Sequence, residues 1–317
     1  MKAMLKCVGL MAVLGLSSQA MALSLEVYAS NNNASPQNRS VLDTGSGTAT
    51  VLGSFDNPGG VAVVGQKIYW GYRSANDTIA VYNPATSSFE APIAAPYSGG
   101  RVEAMATGPD GFLYAADANG DDIYKINVSS GVGAMFANSV SHGQDIGNTH
   151  DMEFSPDGTL LYISDDIETV RIFQGPNGVT PGAFVSSFGT VGPRPRGIAV
   201  RPDGNVLVAE RGSPRAIREY TSAGAFVSTF VDITGVNPVD IDLDDDGSVW
   251  VTSIDLARLR VYAPDGLSFT DYTDVPAYGN GSTTFGPEQI ALFPEPASLA
   301  LLGLGGLLML KRQRKSA

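Results

Sequence analysis

The segment Arg194–Glu210, RPRGIAVRPDGNVLVAE, decides the fold. Apolar and other residues alternate on both sides of Asp203-Gly204, which predicts two antiparallel strands joined by a type I′ hairpin. The same pattern recurs along the chain, with Asp-Gly pairs spaced 47, 46 and 43 residues apart. These pairs begin at Asp110, Asp157, Asp203 and Asp246. A period of this length is typical of repeats that each form one small structural unit.

Further strands follow each hairpin, so that a repeat has about four antiparallel strands. Third strands are predicted from Thr78, Asp122, Thr169, Ala216 and Arg258, and fourth strands from Gly182 and Gly224. Four antiparallel strands per repeat describe a blade of a β-propeller. Five units are complete. The fragment GPEQIALF from Gly286 supplies one strand and the chain from Leu25 supplies three, so the two chain ends together predict a sixth blade.

This closure leaves no open edge strand between the chain ends. We therefore predict an all-β protein, a single six-bladed β-propeller spanning residues 23–293. The repeat resembles NHL-type propellers and, more loosely, the gluconolactonase-like six-bladed family. The second resemblance implies one metal in the central channel, held by Glu, Asn and Asp side chains, with an acidic residue as base. When the repeats are aligned, the position that corresponds to these ligands can be compared blade by blade. Only His150 and Glu288 at this position have side chains that could bind the metal or act as the base, so the resemblance fails at the catalytic positions.

The N-terminal segment has the order of a secretory signal peptide. Lys2 and Lys6 precede an apolar run, and Ala20-Met21-Ala22 gives a cleavage motif, so residues 1–22 are predicted to be removed. The single cysteine, Cys7, lies within that segment. The mature chain would therefore contain no thiol and no disulfide.

The C-terminal segment, residues 294–317, has three parts. Pro294, Glu295 and Pro296 precede an apolar run of 14 uncharged residues, and four bases follow from Lys311. The apolar run is shorter than the roughly 20 residues of a usual membrane-spanning helix. The bases predict a cytoplasmic end.

This C-terminal segment resembles the PEP-CTERM sorting signal. The resemblance implies an exosortase-type processing enzyme as partner. It also implies export to the outer surface or beyond, with transient anchoring in the inner membrane by the C-terminal helix. A plain membrane anchor is the alternative.

Charge narrows the choice of partners. The two terminal segments hold six of the 20 bases, so residues 23–310 keep 14 bases against 32 acids, a net charge of −18. Nucleic acid is an unsuitable partner because phosphate binding needs the opposite sign. Cations, cationic ligands and neutral glycans fit this charge better.

Carboxylates are predicted to gather at one mouth of the channel, which should be strongly acidic. Glu103, Asp151 and Asp240 begin first strands, and His150 and Glu288 stand one position earlier in the repeat. Oxygen ligands of this kind suit Ca²⁺ or another divalent cation. The alternative is that the carboxylates are solvated, or paired with an arginine or with backbone amides.

Three smaller patterns have a functional and a structural interpretation. The loop with His142, His150, Asp145 and Asp151 could hold Zn²⁺ or a similar ion, or be merely exposed. The DLDDDG segment from Asp242 lacks the last acid of a Ca²⁺ loop and is interpreted as a hairpin turn. Six arginines between Arg194 and Arg218 could dock an anionic polysaccharide or pair within the protein.

An aromatic column at one second-strand position is interpreted as core between blades. Its members are Tyr69, Tyr114, Tyr162 and Trp250, continued by Val27 and Leu207. No cofactor motif and no paired nucleophile and base are found. The sequence therefore predicts an exported, non-enzymatic binding or scaffold propeller whose partner is an ion, an extracellular polysaccharide or a surface protein. The alternative is a metal-dependent hydrolase or lactonase acting at the acidic mouth.

Overall fold

The computed structural model describes residues 25–31, 38–55, 57–73, 77–97, 100–138, 149–165, 169–233, 235–253, 259–272 and 289–294. The predicted signal peptide, the segment after Pro294, and the candidates Glu288, His142 and Asp145 lie outside these residues. The described chain forms six antiparallel sheets. The prediction of an all-β six-bladed propeller is confirmed.

The first two complete blades follow the three N-terminal strands. The N-terminal strands are β1 (Leu25–Asn31), β2 (Asn38–Asp43) and β3 (Thr48–Ser54). Blade one consists of β4 (Pro58–Val64), β5 (Lys67–Tyr72), β6 (Thr78–Asn83), β7 (Ser88–Phe89) and β8 (Ile93–Ala94), with a 3₁₀ turn at Pro84–Thr86. Blade two consists of β9 (Val102–Thr107), β10 (Leu113–Asp117), β11 (Asp122–Asn127) and β12 (Val132–Asn138).

Blades three to five each have four strands in sequence order. Blade three consists of β13 (Thr149–Phe154), β14 (Leu160–Asp165), β15 (Thr169–Gln174) and β16 (Phe184–Gly189). Blade four consists of β17 (Pro195–Val200), β18 (Val206–Glu210), β19 (Ala216–Tyr220) and β20 (Phe226–Asp232). Blade five consists of β21 (Pro238–Leu243), β22 (Val249–Ser253), β23 (Leu259–Tyr262) and β24 (Phe269–Tyr272), and the last strand is β25 (Gln289–Pro294).

Blade six is assembled from both ends of the described chain. Its strand order is β25-β1-β2-β3, and β1 pairs antiparallel with β25 from Leu25 opposite Pro294 to Ser30 opposite Gln289. The pairing predicted from the complementary terminal fragments is thus present. It joins the N-terminal strands to the ring and covers the edge that β25 would otherwise expose.

The Asp-Gly hairpins differ in type from the sequence prediction. In blade two the Gly111 N–H donates to the Gly108 carbonyl at 2.9 Å, and Gly111 has φ of 77° whereas Asp110 has no positive φ. A type I′ turn requires positive φ at both central residues, so that assignment was wrong. Pro109 fits the observed turn, because its ring holds φ near −65°, the value of the first central residue of a type I turn. The loop is a type I turn completed by a left-handed glycine.

The core lies between the blades. Six clusters of buried apolar residues occupy the six blade–blade interfaces. The aromatic column belongs to them: Tyr114 and Tyr162 are fully buried, and Trp250 is 4% exposed. Its interpretation as core is confirmed. Among the residues that the structure describes, no helix is long and apolar enough to cross a membrane.

Candidate functional site

The innermost strands enclose a central channel. β4, β9, β13, β17, β21 and β25 contact one another in a closed ring. A cavity of about 210 Å³ lies inside this ring and is lined by residues of all six strands. Because polar side chains from separate blades converge in this cavity, the channel is the candidate functional site.

Four carboxylates line the channel, two on each of two strands. Asp151 and Glu153 lie on β13, and Asp240 and Asp242 lie on β21. Residues two apart on a strand share a face, so each strand presents its two carboxylates to the channel. No Lys, Arg or His lines the cavity among the described residues. We call these four side chains the channel carboxylates.

Three of the channel carboxylates also join neighbouring blades. Asp151 Oδ2 accepts a hydrogen bond from the Ile198 N–H at 2.6 Å, and Asp240 Oδ2 accepts one from the Ile290 N–H at 2.8 Å. Asp242 Oδ2 accepts from the Leu292 N–H at 3.2 Å. An innermost strand has one edge without a strand partner, and its buried N–H groups need acceptors. The carboxylates therefore connect blade three to blade four and blade five to blade six.

Gly197 on β17 occupies the repeat position that Asp151 and Asp240 occupy in their blades, and it lies where blades four and five meet. A Cβ added to Gly197 would lie 2.4 Å from the Ile241 nitrogen and 2.7 Å from the Asp240 Cα. The two innermost strands therefore approach backbone to backbone at this interface. Glycine occurs at this repeat position where two innermost strands touch directly, as at Gly197. Aspartate occurs where a side chain joins the two strands, as at Asp151 and Asp240.

Burial raises the pKa of every channel carboxyl. The side chains of Asp151 and Asp240 hydrogen bond to each other, and burial together with the neighbouring charge holds the pKa of Asp151 well above its usual range. Burial raises the pKa of Asp240 to about 7 and that of Asp242 to about 6. Burial and the charges of Asp242 and Asp240 raise the pKa of Glu153 to about 8. Near neutral pH the channel therefore holds protons between its carboxylates.

The end of the channel near Glu103 carries arginines as well as acids. Glu103 is 4% exposed, accepts from Arg73 Nη2 at 2.9 Å and contacts Arg101. His150 Nδ1 lies 3.8 Å from Glu103 Oε2 and 3.0 Å from Arg196 Nη1. The prediction of a strongly acidic mouth is corrected for the described residues, because two arginines pair with the buried Glu103.

The predicted metal ligands therefore fall into two groups. Glu103 and His150 belong to the arginine cluster, whereas Asp151 and Asp240 form a pair inside the channel. Glu288 lies outside the described residues. Within the described ranges, no three His, Cys, Asp or Glu side chains are placed to share one ion. The metal site on these five residues stays a prediction.

Other acidic and basic side chains outside the channel form local contacts. Asp165 contacts Arg171, Glu210 contacts Arg218, and Arg201 Nε lies 3.8 Å from Glu219. Pairing within the protein is thus confirmed for Arg201 and Arg218 of blade four. Asp244 closes the predicted turn by accepting from the Ser248 N–H at 2.8 Å.

Glu153 and Asp242 were missed as site residues. The sequence pattern does not predict Glu153 as a site residue, and it places Asp242 only in the turn segment. Each lies two positions after a predicted site residue on the same innermost strand. The alternation of a strand was the signal that could have identified both.

No family model matches this sequence, and no curated protein matches it. Solved structures are similar in fold. A protein of unknown function from Bacteroides caccae has a TM-score of 0.61 at 13% identity, covering 86% of this chain and 100% of its own. A protein assigned as a gluconolactonase has a TM-score of 0.57 at 18% identity, covering 71% of this chain and 80% of its own. Virginiamycin B lyase from Staphylococcus aureus has a TM-score of 0.53 at 15% identity, covering 70% of this chain and 71% of its own. At these identities the likeness shows the propeller fold alone.

Proposed function

We propose that this protein is an exported, non-enzymatic binding propeller whose channel takes up a divalent cation such as Ca²⁺. One observation carries the proposal: among the described residues, four carboxylates and no base line a single cavity. Carboxylate oxygens are the ligands that hard divalent cations prefer. A cation between them would replace the protons that the raised pKa values indicate.

Asp151 and Asp240 are the two central ligands in this proposal, and water or a bound partner would supply the other ligands, because no third His, Cys, Asp or Glu side chain of the described residues is placed to share the same ion. Each uses one oxygen to accept from the next blade, and each carboxyl also meets the other. Glu153 is the most available of the four, since the three hydrogen bonds that join neighbouring blades use Asp151, Asp240 and Asp242 instead. Glu103 is a poorer ligand because Arg73 already occupies Oε2.

Export and sorting complete the proposed function. The predicted signal peptide and the Pro294-Glu295-Pro296 segment support release at the cell surface by an exosortase-type enzyme. There the propeller would meet an extracellular polysaccharide or another surface protein. The metal-dependent lactonase is the weaker candidate, since the positions that the family uses are occupied by other residue types in this chain.

Thermal unfolding with Ca²⁺, Mg²⁺, Mn²⁺ and Zn²⁺ tests the cation site. At a hundredfold excess over the dissociation constant, binding adds about 2.7 kcal/mol to the stability of the native state. The double variant Asp151→Asn and Asp240→Asn should lose this increment. Asp203→Asn, which changes a carboxylate of an exposed hairpin turn, is the matched control and should keep it. If none of the four ions raises the melting temperature of the parent, the cation site is rejected.

A further inference from the structure

Arg39 is a buried cation with no carboxylate beside it in the described part of the chain. It lies on β2 in blade six, and its exposed fraction is 0%. Its Nε, Nη1 and Nη2 atoms are buried, and no carboxylate or carbonyl oxygen among the described residues accepts a hydrogen bond from them. A buried charge without a partner is strongly unfavourable, and native structures rarely leave one.

Aromatic rings from two blades surround the guanidinium. Arg39 Cζ lies 3.7 Å from the ring centre of Phe55, 4.8 Å from that of Tyr72 and 5.4 Å from that of Trp70. Phe89 is at 5.9 Å. Cation–π contact offsets part of the cost of burial, but it leaves the N–H groups without acceptors. Burial lowers the pKa of Arg39, and a hydrogen-bonding contact with the Tyr72 hydroxyl acts in the opposite direction. A carboxylate is still missing beside the guanidinium among the described residues.

One of the aromatic residues around Arg39 also carries a hydrogen-bond donor without a partner among the described residues. The Trp70 indole nitrogen is buried and also has no hydrogen-bond partner among the described residues. Trp70 is fully buried and lies on β5 of blade one. The seam between blades six and one therefore holds four such donor atoms in one cluster, and every one of them requires an acceptor.

Other arginines with little exposure in the described chain are paired. Arg218 contacts Glu210 and Arg171 contacts Asp165. Arg260 is the nearest counterpart of Arg39: it stacks on Phe269 at 3.9 Å, yet its Nε and Nη2 donate to Asp271 at 2.6 and 2.8 Å. Stacking on an aromatic ring thus does not replace a negative partner at that site.

We propose that Arg39 and the Trp70 indole N–H bind a small monovalent anion in the seam between blades six and one. Such an anion supplies the missing acceptor and the missing charge together. Chloride and formate share this chemistry. Because blade six is built from both chain ends, the anion would stabilise the closure of the ring.

Anion replacement at constant sodium concentration and ionic strength tests the proposal. When chloride or formate replaces gluconate, the melting temperature of the parent should rise and then saturate. Arg260→Met should keep this response, and Arg39→Met should lose it. A response to only one of the two anions identifies the ligand. Equal melting in all three salts, or an unchanged response in Arg39→Met, would overturn the proposal and leave water or another part of the chain as the acceptor.

Bromide quenching provides a second measurement that leaves Arg39 in place. The protein has two tryptophans, so Trp250→Phe keeps Trp70 as the single reporter and Trp70→Phe keeps Trp250. A fully buried indole should resist collisional quenchers, whereas bromide bound beside Trp70 should quench it with a saturating dependence. We expect saturation in Trp250→Phe and none in Trp70→Phe. Weak, unsaturated quenching in both variants would reject the site even if Arg39→Met fails to fold.

Discussion

Replacing Glu153 with glutamine should remove a pH dependence that the channel imposes on stability. The pKa of Glu153 rises from 4.5 to about 8 on folding, because burial and the charges of Asp242 and Asp240 disfavour the ionised form. A carboxyl with a raised pKa contributes stability that is fully present below its unfolded pKa. That contribution is lost as pH rises through the folded value. The parent should therefore become less stable between about pH 4.5 and pH 8.

The size of this effect follows from the shift. One pKa unit corresponds to about 1.4 kcal/mol, so the shift of Glu153 sets an upper bound of about 5 kcal/mol. Solvent screening lowers the effect below this bound, and we expect about 2 kcal/mol to be observed. For a domain of this size that amount changes the melting temperature by about 4–8 °C. The glutamine side chain carries no charge and keeps an oxygen that can accept from the Phe154 N–H.

Thermal and urea unfolding at pH 5 and pH 8.5, in the presence of a chelator, measures the effect. The two proteins should be nearly equally stable at pH 5, and Glu153→Gln should be the more stable at pH 8.5. Asp157→Asn is the control on the same blade, because hydrogen bonds from Thr159 lower the pKa of this exposed carboxyl and it stays ionised across the range. A parent whose stability is flat from pH 5 to pH 8.5, or a variant with the slope of the parent, would refute the reasoning.

Two further predictions concern the chain ends. Deleting residues 23–54 removes β1, β2 and β3. This leaves β25 unpaired and exposes the apolar faces of the blades beside it. We therefore expect the truncated protein to lose cooperative unfolding and to aggregate. A truncated protein that melts as sharply and as high as the parent would contradict closure by these strands. The sorting proposal predicts that the native host processes the chain near Pro294-Glu295-Pro296, and an intact mass that still includes Ala317 in the surface-released protein would reject it.

Much of the fold was predictable because its signals are local and repeated. The Asp-Gly pairs and the alternating strands around them recur at a nearly constant spacing, and that period fixes the blade as the structural unit. The C-terminal fragment that contains Gln289 is a single first strand without a partner, and the N-terminal fragment from Leu25 lacks a first strand. Each fragment supplies the strands that the other needs for a four-stranded blade, so their pairing could be predicted. The aromatic column could be assigned to the core because strand alternation assigns each position to one face.

The candidate site was predictable only in part. The sequence identified Asp151 and Asp240 from their column, but it did not show that they meet each other, since they lie on separate blades. Glu103 was grouped with them, whereas the structure shows it bound by Arg73, which lies 30 residues away in the chain. Contacts across the ring depend on the radius and twist of the closed structure, which no local pattern specifies.

For Arg39, the sequence predicts the blade in which it lies but not the residues that surround it. Its strand pattern placed it in blade six, and the closing of the ring then surrounded it with Trp70, Tyr72 and Phe89 of blade one. The sequence by itself determined the repeat, the number of blades and the face of each strand, because these follow from chain periodicity. Only the tertiary structure decided which charges are paired, protonated or left without a partner among the described residues. Those properties depend on burial and on neighbours that are distant in the chain.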